Sequence, residues 1–132
     1  METALSKSTE DVRPYRKKVG DRGEDAACGM LLKEGMRIVC RNFGCRVGEI
    51  DIVAFDPEEE ALVFAEVKTR NSAEYGLPCE SVGAEKQRKL RLTAEYYILR
   101  NPQYRRCARR MDIVEILQTD RGLFGRHIRN AF

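Results

Sequence analysis

The sequence has one histidine, His127, and no Cys-x-x-Cys pair among its five cysteines, Cys28, Cys40, Cys45, Cys79 and Cys107. Both shortages argue against a structural zinc site, which is built from close cysteine and histidine pairs. Odd in number and scattered, the cysteines read as reduced thiols, mostly in the core, and not as a disulfide framework. No apolar run approaches the ~18 residues that cross a bilayer, and the first ten residues lack the hydrophobic stretch of a secretory leader. The expectation is a soluble, cytoplasmic protein without membrane contact. Net charge is small as well, +3, too little by itself to mark a polyanion-binding protein.

What is present suffices for one modest core: 132 residues, 42% of them hydrophobic, are too few for two independent ones. The expected organisation is a single domain over residues 19–132 behind a mobile polar arm, residues 1–18. That arm mixes charge, Ser and Thr, carries Pro14 and shows neither helical nor strand periodicity. Its Lys17 and Lys18 are candidates for touching a phosphate.

Gly20 and Asp21 punctuate the start of a helix that runs to about Glu34 and closes at Gly35, with Ala27, Met30 and Leu31 as its inward stripe. Strands are expected at 36–41, 47–55 and 61–68, with a turn at 42–45 and an acidic loop from Asp56 to Glu60. The third strand is apolar at both parities (Leu62 and Phe64, Val63 and Val67), as in a strand covered on both faces. A second helix, spaced by Leu90, Ala94, Tyr97 and Ile98, begins at 81 or 84 and stops at Asn101 and Pro102. A fourth strand at 111–117 follows. Residues 122–132 should return along the sheet, because Leu123, Ile128 and Phe132 need cover. The fold class is therefore α/β, a central sheet with helices packed on it.

Charge is unevenly spread. Between residues 84 and 110 stand nine Lys or Arg against two Glu, a local field able to attract a polyanion. The plain alternative is a solvated helix face.

Charged residues interrupt the apolar rows of the sheet, chief among them two acids and a lysine, Asp51, Glu66 and Lys68. Alternation puts Val47, Glu49, Asp51, Val53 and Phe55 on one face of the second strand, and Leu62, Phe64, Glu66 and Lys68 on one face of the third. A hairpin centred between Glu58 and Glu59 pairs Phe55 with Leu62 and Val53 with Phe64, and by extension Asp51 with Glu66 and Glu49 with Lys68. Adjacent carboxylates on a half-buried sheet repel, so one must be protonated unless a cation sits between them. An oxygen-only ligand set suits Mg²⁺ or Mn²⁺. Such an ion polarises a phosphoryl oxygen and acidifies a bound water, and Lys68 would orient that water or steady the developing charge. Phosphodiester hydrolysis is the natural reaction; a partly buried ion-pair network is the alternative. Glu24, three residues before Ala27 and seven before Leu31, also lies on an inward stripe, although an acid near a helix start complements the dipole in any case.

Four ordered motifs carry a resemblance: Gly-Glu-Asp-Ala-Ala around Glu24, Gly48-Glu49-Ile50-Asp51-Ile52, Phe64-Ala65-Glu66-Val67-Lys68-Thr69-Arg70, and the closing His127-Ile128-Arg129-Asn130-Ala131-Phe132. With Lys86-Gln87 and Arg110-Met111-Asp112, the chain resembles the YraN family of small bacterial proteins from about Val19 to its end. That family is similar to the PD-(D/E)xK nucleases, nearest in shape to archaeal-type Holliday-junction resolvases. The resemblance implies a restriction-endonuclease-like mixed central β-sheet flanked by α-helices. It implies Asp51, Glu66 and Glu24 as metal-binding acids, Lys68 as the catalytic lysine, and Gln87 as a helix glutamine near the site. Arg70, Lys86, Gln87, Arg88, Lys89 and Arg91 would then meet nucleic acid, with DNA, branched DNA included, as the expected partner. Resolvase-like relatives act as two-fold dimers, so a homodimer is compatible.

Two other functions stay open at this level: a non-catalytic nucleic-acid-binding module of the same fold, and a metal-dependent hydrolase of smaller phosphate esters, which would need a closed pocket.

Overall fold

A computed structural model describes residues 15–71 and 82–132, with side chains from residue 22 onward in those spans. In chain order the elements are α1 (Tyr15–Lys33), β1 (Arg37–Gly44), β2 (Glu49–Asp56), β3 (Ala61–Asn71), α2 (Ala84–Arg100), β4 (Ala108–Thr119) and β5 (Gly122–Ile128), with one turn of 3₁₀ helix at Pro102–Tyr104. The strands form one sheet in the order β1-β2-β3-β4-β5. All pairings are antiparallel except β3 with β4, whose parallel run requires the crossover that α2 supplies.

Each helix buries one stripe against one face. Ala27 and Leu31 of α1 pack on Ile52, Ala54, Val63, Ala65, Val114 and Ile116. Leu90, Ala94, Tyr97 and Ile98 of α2 pack on Ile50, Val53, Leu62, Phe64, Met111 and Ile113. β3 thus contributes alternate residues to two cores, which is why it is apolar at both parities. Gly35 closes α1 with φ +92°, and the Met36 N–H donates to the Leu31 carbonyl at 3.0 Å, a left-handed stop that glycine adopts without a Cβ penalty. Asn101 ends α2 by donating its side-chain amide to the Tyr97 carbonyl at 2.8 Å.

Several boundaries differ from the sequence expectation. α1 begins at Tyr15, so residues 15–18 are helical and not part of an arm; the rest of that arm, and Cys79, lie outside the described residues, as do the side chains of Lys17 and Lys18. β1 runs to Gly44, through the segment read as a turn, because its pairing with β2 continues to Gly44↔Glu49. Of the four described cysteines only Cys28 is buried, and Cys40, Cys45 and Cys107 are half-exposed; Cys40 lies on an edge strand, and Cys45 and Cys107 lie between elements, where cover is incomplete. Ile128 and Phe132 pack on the α2 core, but Leu123 and Phe124 remain exposed at the far end of edge strand β5. No helix among the described residues is long and apolar enough to cross a membrane.

Gly23 sets how closely α1 approaches β3. A Cβ there would stand 2.5 Å from Thr69 Oγ1, closer than packed atoms tolerate. Gly23→Ala should therefore lower stability by about 1 kcal/mol or more, although alanine is the better helix former. In the background of Thr69→Ala the same change should become stabilising, as thermal melts of the two single variants and the double variant would read.

Candidate functional site

The hairpin register is the expected one at Phe55↔Leu62 and Val53↔Phe64, and it ends at Ile52↔Ala65. Asp51 and Glu66 are not continued as ladder partners, nor are Glu49 and Lys68, because β2 departs from β3 at Asp51. Two observations locate the break. Ile52 packs on the α1 core and Ile50 on the α2 core, which a regular strand with a two-residue period forbids. The Val67 N–H, left by the departing strand, is taken by the Asp51 carboxylate at 2.8 Å. Asp51 is thereby fixed in the splay between β2 and β3, within the field of charges from both faces.

Burial, together with the neighbouring Glu66 and Glu24 carboxylates, pushes the Asp51 carboxyl up to about 6, against the Val67 N–H and the Lys86 ammonium, which favour its ionised form. Glu66 projects toward α2, where Lys86 Nζ meets its Oε2 at 2.6 Å. Glu24 comes from α1 and accepts from Arg41 Nη2 at 3.4 Å, while Arg41 Nη1 holds Asp25 at 2.8 Å. The inward position read for Glu24 is correct: its side chain is 14% exposed. Lys68, two residues beyond Glu66, is half-buried and forms no ion pair among the described residues.

The remaining predicted residues are dispersed. Arg70 Nε lies 3.4 Å from Glu115 Oε2 on β4. Gln87 donates to the Val82 carbonyl at 2.8 Å, so its amide secures the start of α2. Arg88 pairs with Glu85 one turn away, and Arg91 lies over the Phe132 ring, 5.5 Å from its centroid. Lys86 and Lys89 line a groove of about 370 Å³ with Gly48, Glu49, Glu85, Leu90 and Thr93, and Lys86 joins that groove to the acids.

Among the described residues no three His, Cys, Asp or Glu side chains stand as a ready metal-ligand set; Glu24 is paired with Arg41 and Glu66 with Lys86. The donor chemistry nevertheless fits a hard cation. Asp51 has no ion pair of its own among the described residues and sits beside a second carboxylate, an oxygen-only pair that suits Mg²⁺ or Mn²⁺ with waters completing the shell.

Sequence reasoning missed Arg41, whose exposed edge-strand position gave no sign that it reaches across to α1. It also gave no role to a second polar cluster. Arg110, Asp112 and His127 lie under the C-terminal end of α1: Arg110 bridges Asp112 and Asp56, and His127 donates to Asp112 at 2.7 Å and meets Glu34 at 2.8 Å. The available signal was an acid and an arginine at one parity of a strand covered on both faces.

The described residues form a five-stranded mixed sheet with one helix on each face, carrying two acids and a lysine where β2 and β3 splay apart, an α/β fold compatible with the restriction-endonuclease-like arrangement. Residues 23–116 match the uncharacterised protein family UPF0102, and the chain belongs to that family. It is 37% identical over 118 residues to a UPF0102 protein of Desulforamulus reducens, covering 88% of this chain and 96% of that one. It is 46% identical to a counterpart from Caldicellulosiruptor bescii, over 76% of this chain and 82% of the relative. A third relative, from Pelobacter propionicus, is 44% identical over 91% of this chain and 86% of its own length. The matched span begins at Gly23 and contains Glu24, Asp51, Glu66, Lys68 and Lys86.

Proposed function

We propose that this protein is a Mg²⁺- or Mn²⁺-dependent endonuclease-like protein that hydrolyses phosphodiesters of DNA, branched DNA included. The observation that carries the proposal is the placement of Asp51: half-buried, held by a backbone N–H, flanked by Glu66 and Glu24, and raised to about 6. A carboxylate kept in such surroundings lowers the stability of the fold, and a cation site gives a reason for it.

Asp51 and Glu66 would hold the ion, with Glu24 joining them if Arg41 swings away. When bound, the ion supplies Lewis-acid polarisation of a phosphoryl oxygen and a more acidic water. Lys68 orients the attacking water through its ammonium or stabilises charge on the phosphate as it develops. Arg70, Lys86, Arg88, Lys89 and Arg91 contact the backbone around the scissile phosphate, and the groove beside Lys86 and Lys89 gives a polymer a path past the acids. A non-catalytic binding module is favoured by one observation only, the engagement of Glu66 and Glu24 by Lys86 and Arg41.

The thermal stability of parent protein and Asp51→Asn tests the metal site. Without divalent ion and near neutral pH, Asp51→Asn should be the more stable, since asparagine keeps an acceptor for the Val67 N–H and removes a poorly solvated charge. Millimolar Mn²⁺ should raise the melting temperature of the parent and leave that of Asp51→Asn unmoved. Equal shifts in both would contradict cation binding at Asp51.

A further inference from the structure

We propose that Lys86 is a resident counter-ion of the acidic site, seated beside Glu66 and Asp51, and that a divalent cation must displace it to bind. The inference rests on the metal-dependent reading above and adds a competitor within the chain itself.

The contact is short, 2.6 Å from Nζ to Glu66 Oε2, and its two ends differ in their surroundings: the Glu66 side chain is 13% exposed and the Lys86 side chain 53%. A nearly buried carboxylate needs a cation close by, whereas a lysine on a solvated stem can leave at little cost. Neighbouring groups of α2 do not share the task. Gln87 is bound to the Val82 carbonyl and Arg88 to Glu85. Lys68 shares a face with Glu66 but forms no ion pair among the described residues. Lys86 also acts on Asp51, whose ionised form it favours, so one ammonium serves both carboxylates that a divalent ion would bridge. Two positive charges cannot occupy that place together without strong repulsion. The groove at Lys86 gives the displaced side chain somewhere to go.

Calorimetric titration of the full chain with Mn²⁺ alone, without nucleic acid, reads the competition. Lys86→Met keeps the stem and removes the charge; it should bind Mn²⁺ about three- to tenfold more tightly than the parent, the scale of one partly exposed ion pair. Lys86→Arg should bind no more tightly than the parent. Lys33→Met, which removes the same charge from the last turn of α1, should match the parent and so separate displacement at Glu66 from a change in overall charge. Binding that appears only in Lys86→Met would support displacement in its strongest form. If the parent binds Mn²⁺ and Lys86→Met binds with equal or lower affinity, the resident role of Lys86 is overturned while the metal site stands. Failure of every variant to bind would overturn both. Far-ultraviolet circular dichroism before titration checks that each variant is folded.

Discussion

Replacing Arg110 with methionine should lower the stability of this protein by about 3–5 kcal/mol, the cost of leaving buried charges without their partner. The side chain of Arg110 is 5% exposed, that of Asp112 fully buried and that of Asp56 6% exposed. Arg110 donates to Asp112 at 3.0 Å, to Asp56 at 2.8 Å and to Glu59 at 2.8 Å. Among the described residues no other arginine pairs with both buried acids; Arg129 touches Asp56 only at 3.6 Å. A domain with an overall stability of about 5–15 kcal/mol would lose much of it, and urea unfolding would show the midpoint fall. Replacing Arg110 and Asp112 together by apolar residues should be less damaging than the Arg110 change alone, because no buried charge is then stranded.

The same cluster fixes a pH dependence. Against the penalty of burial, hydrogen bonds from His127 and Arg110 hold the Asp112 carboxyl below its usual range, one from Arg110 does so for Asp56, and those from His127 and Arg129 do so for Glu34. Their contribution is present above the unfolded carboxylate values, roughly 4, and disappears as pH falls through the lower folded values. The hydrogen bond to Asp112, then that to Glu34, raises His127. Its contribution is complete below about 6.5 and is lost as pH rises through the higher folded value. Asp51 acts in the same direction, since a folded value of about 6 above the unfolded one near 3.9 means that stability declines as pH climbs between them. Stability should therefore peak on the weakly acidic side, and His127→Gln should flatten the alkaline limb.

Much of this architecture is legible in the sequence, and the part that is not has a definite cause. The acidic loop centres the hairpin correctly, and Phe55↔Leu62 and Val53↔Phe64 follow from it. Extending the register to Asp51 and Glu66 fails because alternation assumes a regular strand, and β2 stops being regular at Asp51. The two acids are still neighbours, but through the splay of the strands and a side chain that substitutes for a ladder bond. Glu24 is readable from its helical spacing. Its partner Arg41 is not, since an exposed residue on an edge strand carries no mark of a contact with a helix. Gln87, implied by the resemblance as a residue near the site, donates its amide to the Val82 carbonyl at the helix start, a local hydrogen bond that spacing alone does not reveal.

On the proposed nuclease function, the chemistry would depend most on Glu66 and Lys68. Glu66→Ala removes one of the two carboxylates that would bracket an ion, and Lys68→Ala removes the ammonium on the same face of β3, without stranding a buried charge in either case. Each should lower cleavage by roughly 10²-fold or more, the scale of losing one group that acts on developing charge. Binding of DNA should be affected far less, because backbone affinity comes from many basic contacts. Cleavage of labelled linear, single-stranded and four-way-junction DNA, with Mg²⁺ or Mn²⁺, by parent protein beside these two variants tests the assignment most directly. Cutting by the parent that is lost in both variants is the predicted result. Salt-sensitive binding by the parent with no cutting of any substrate would contradict a nuclease and leave a binding module in its place.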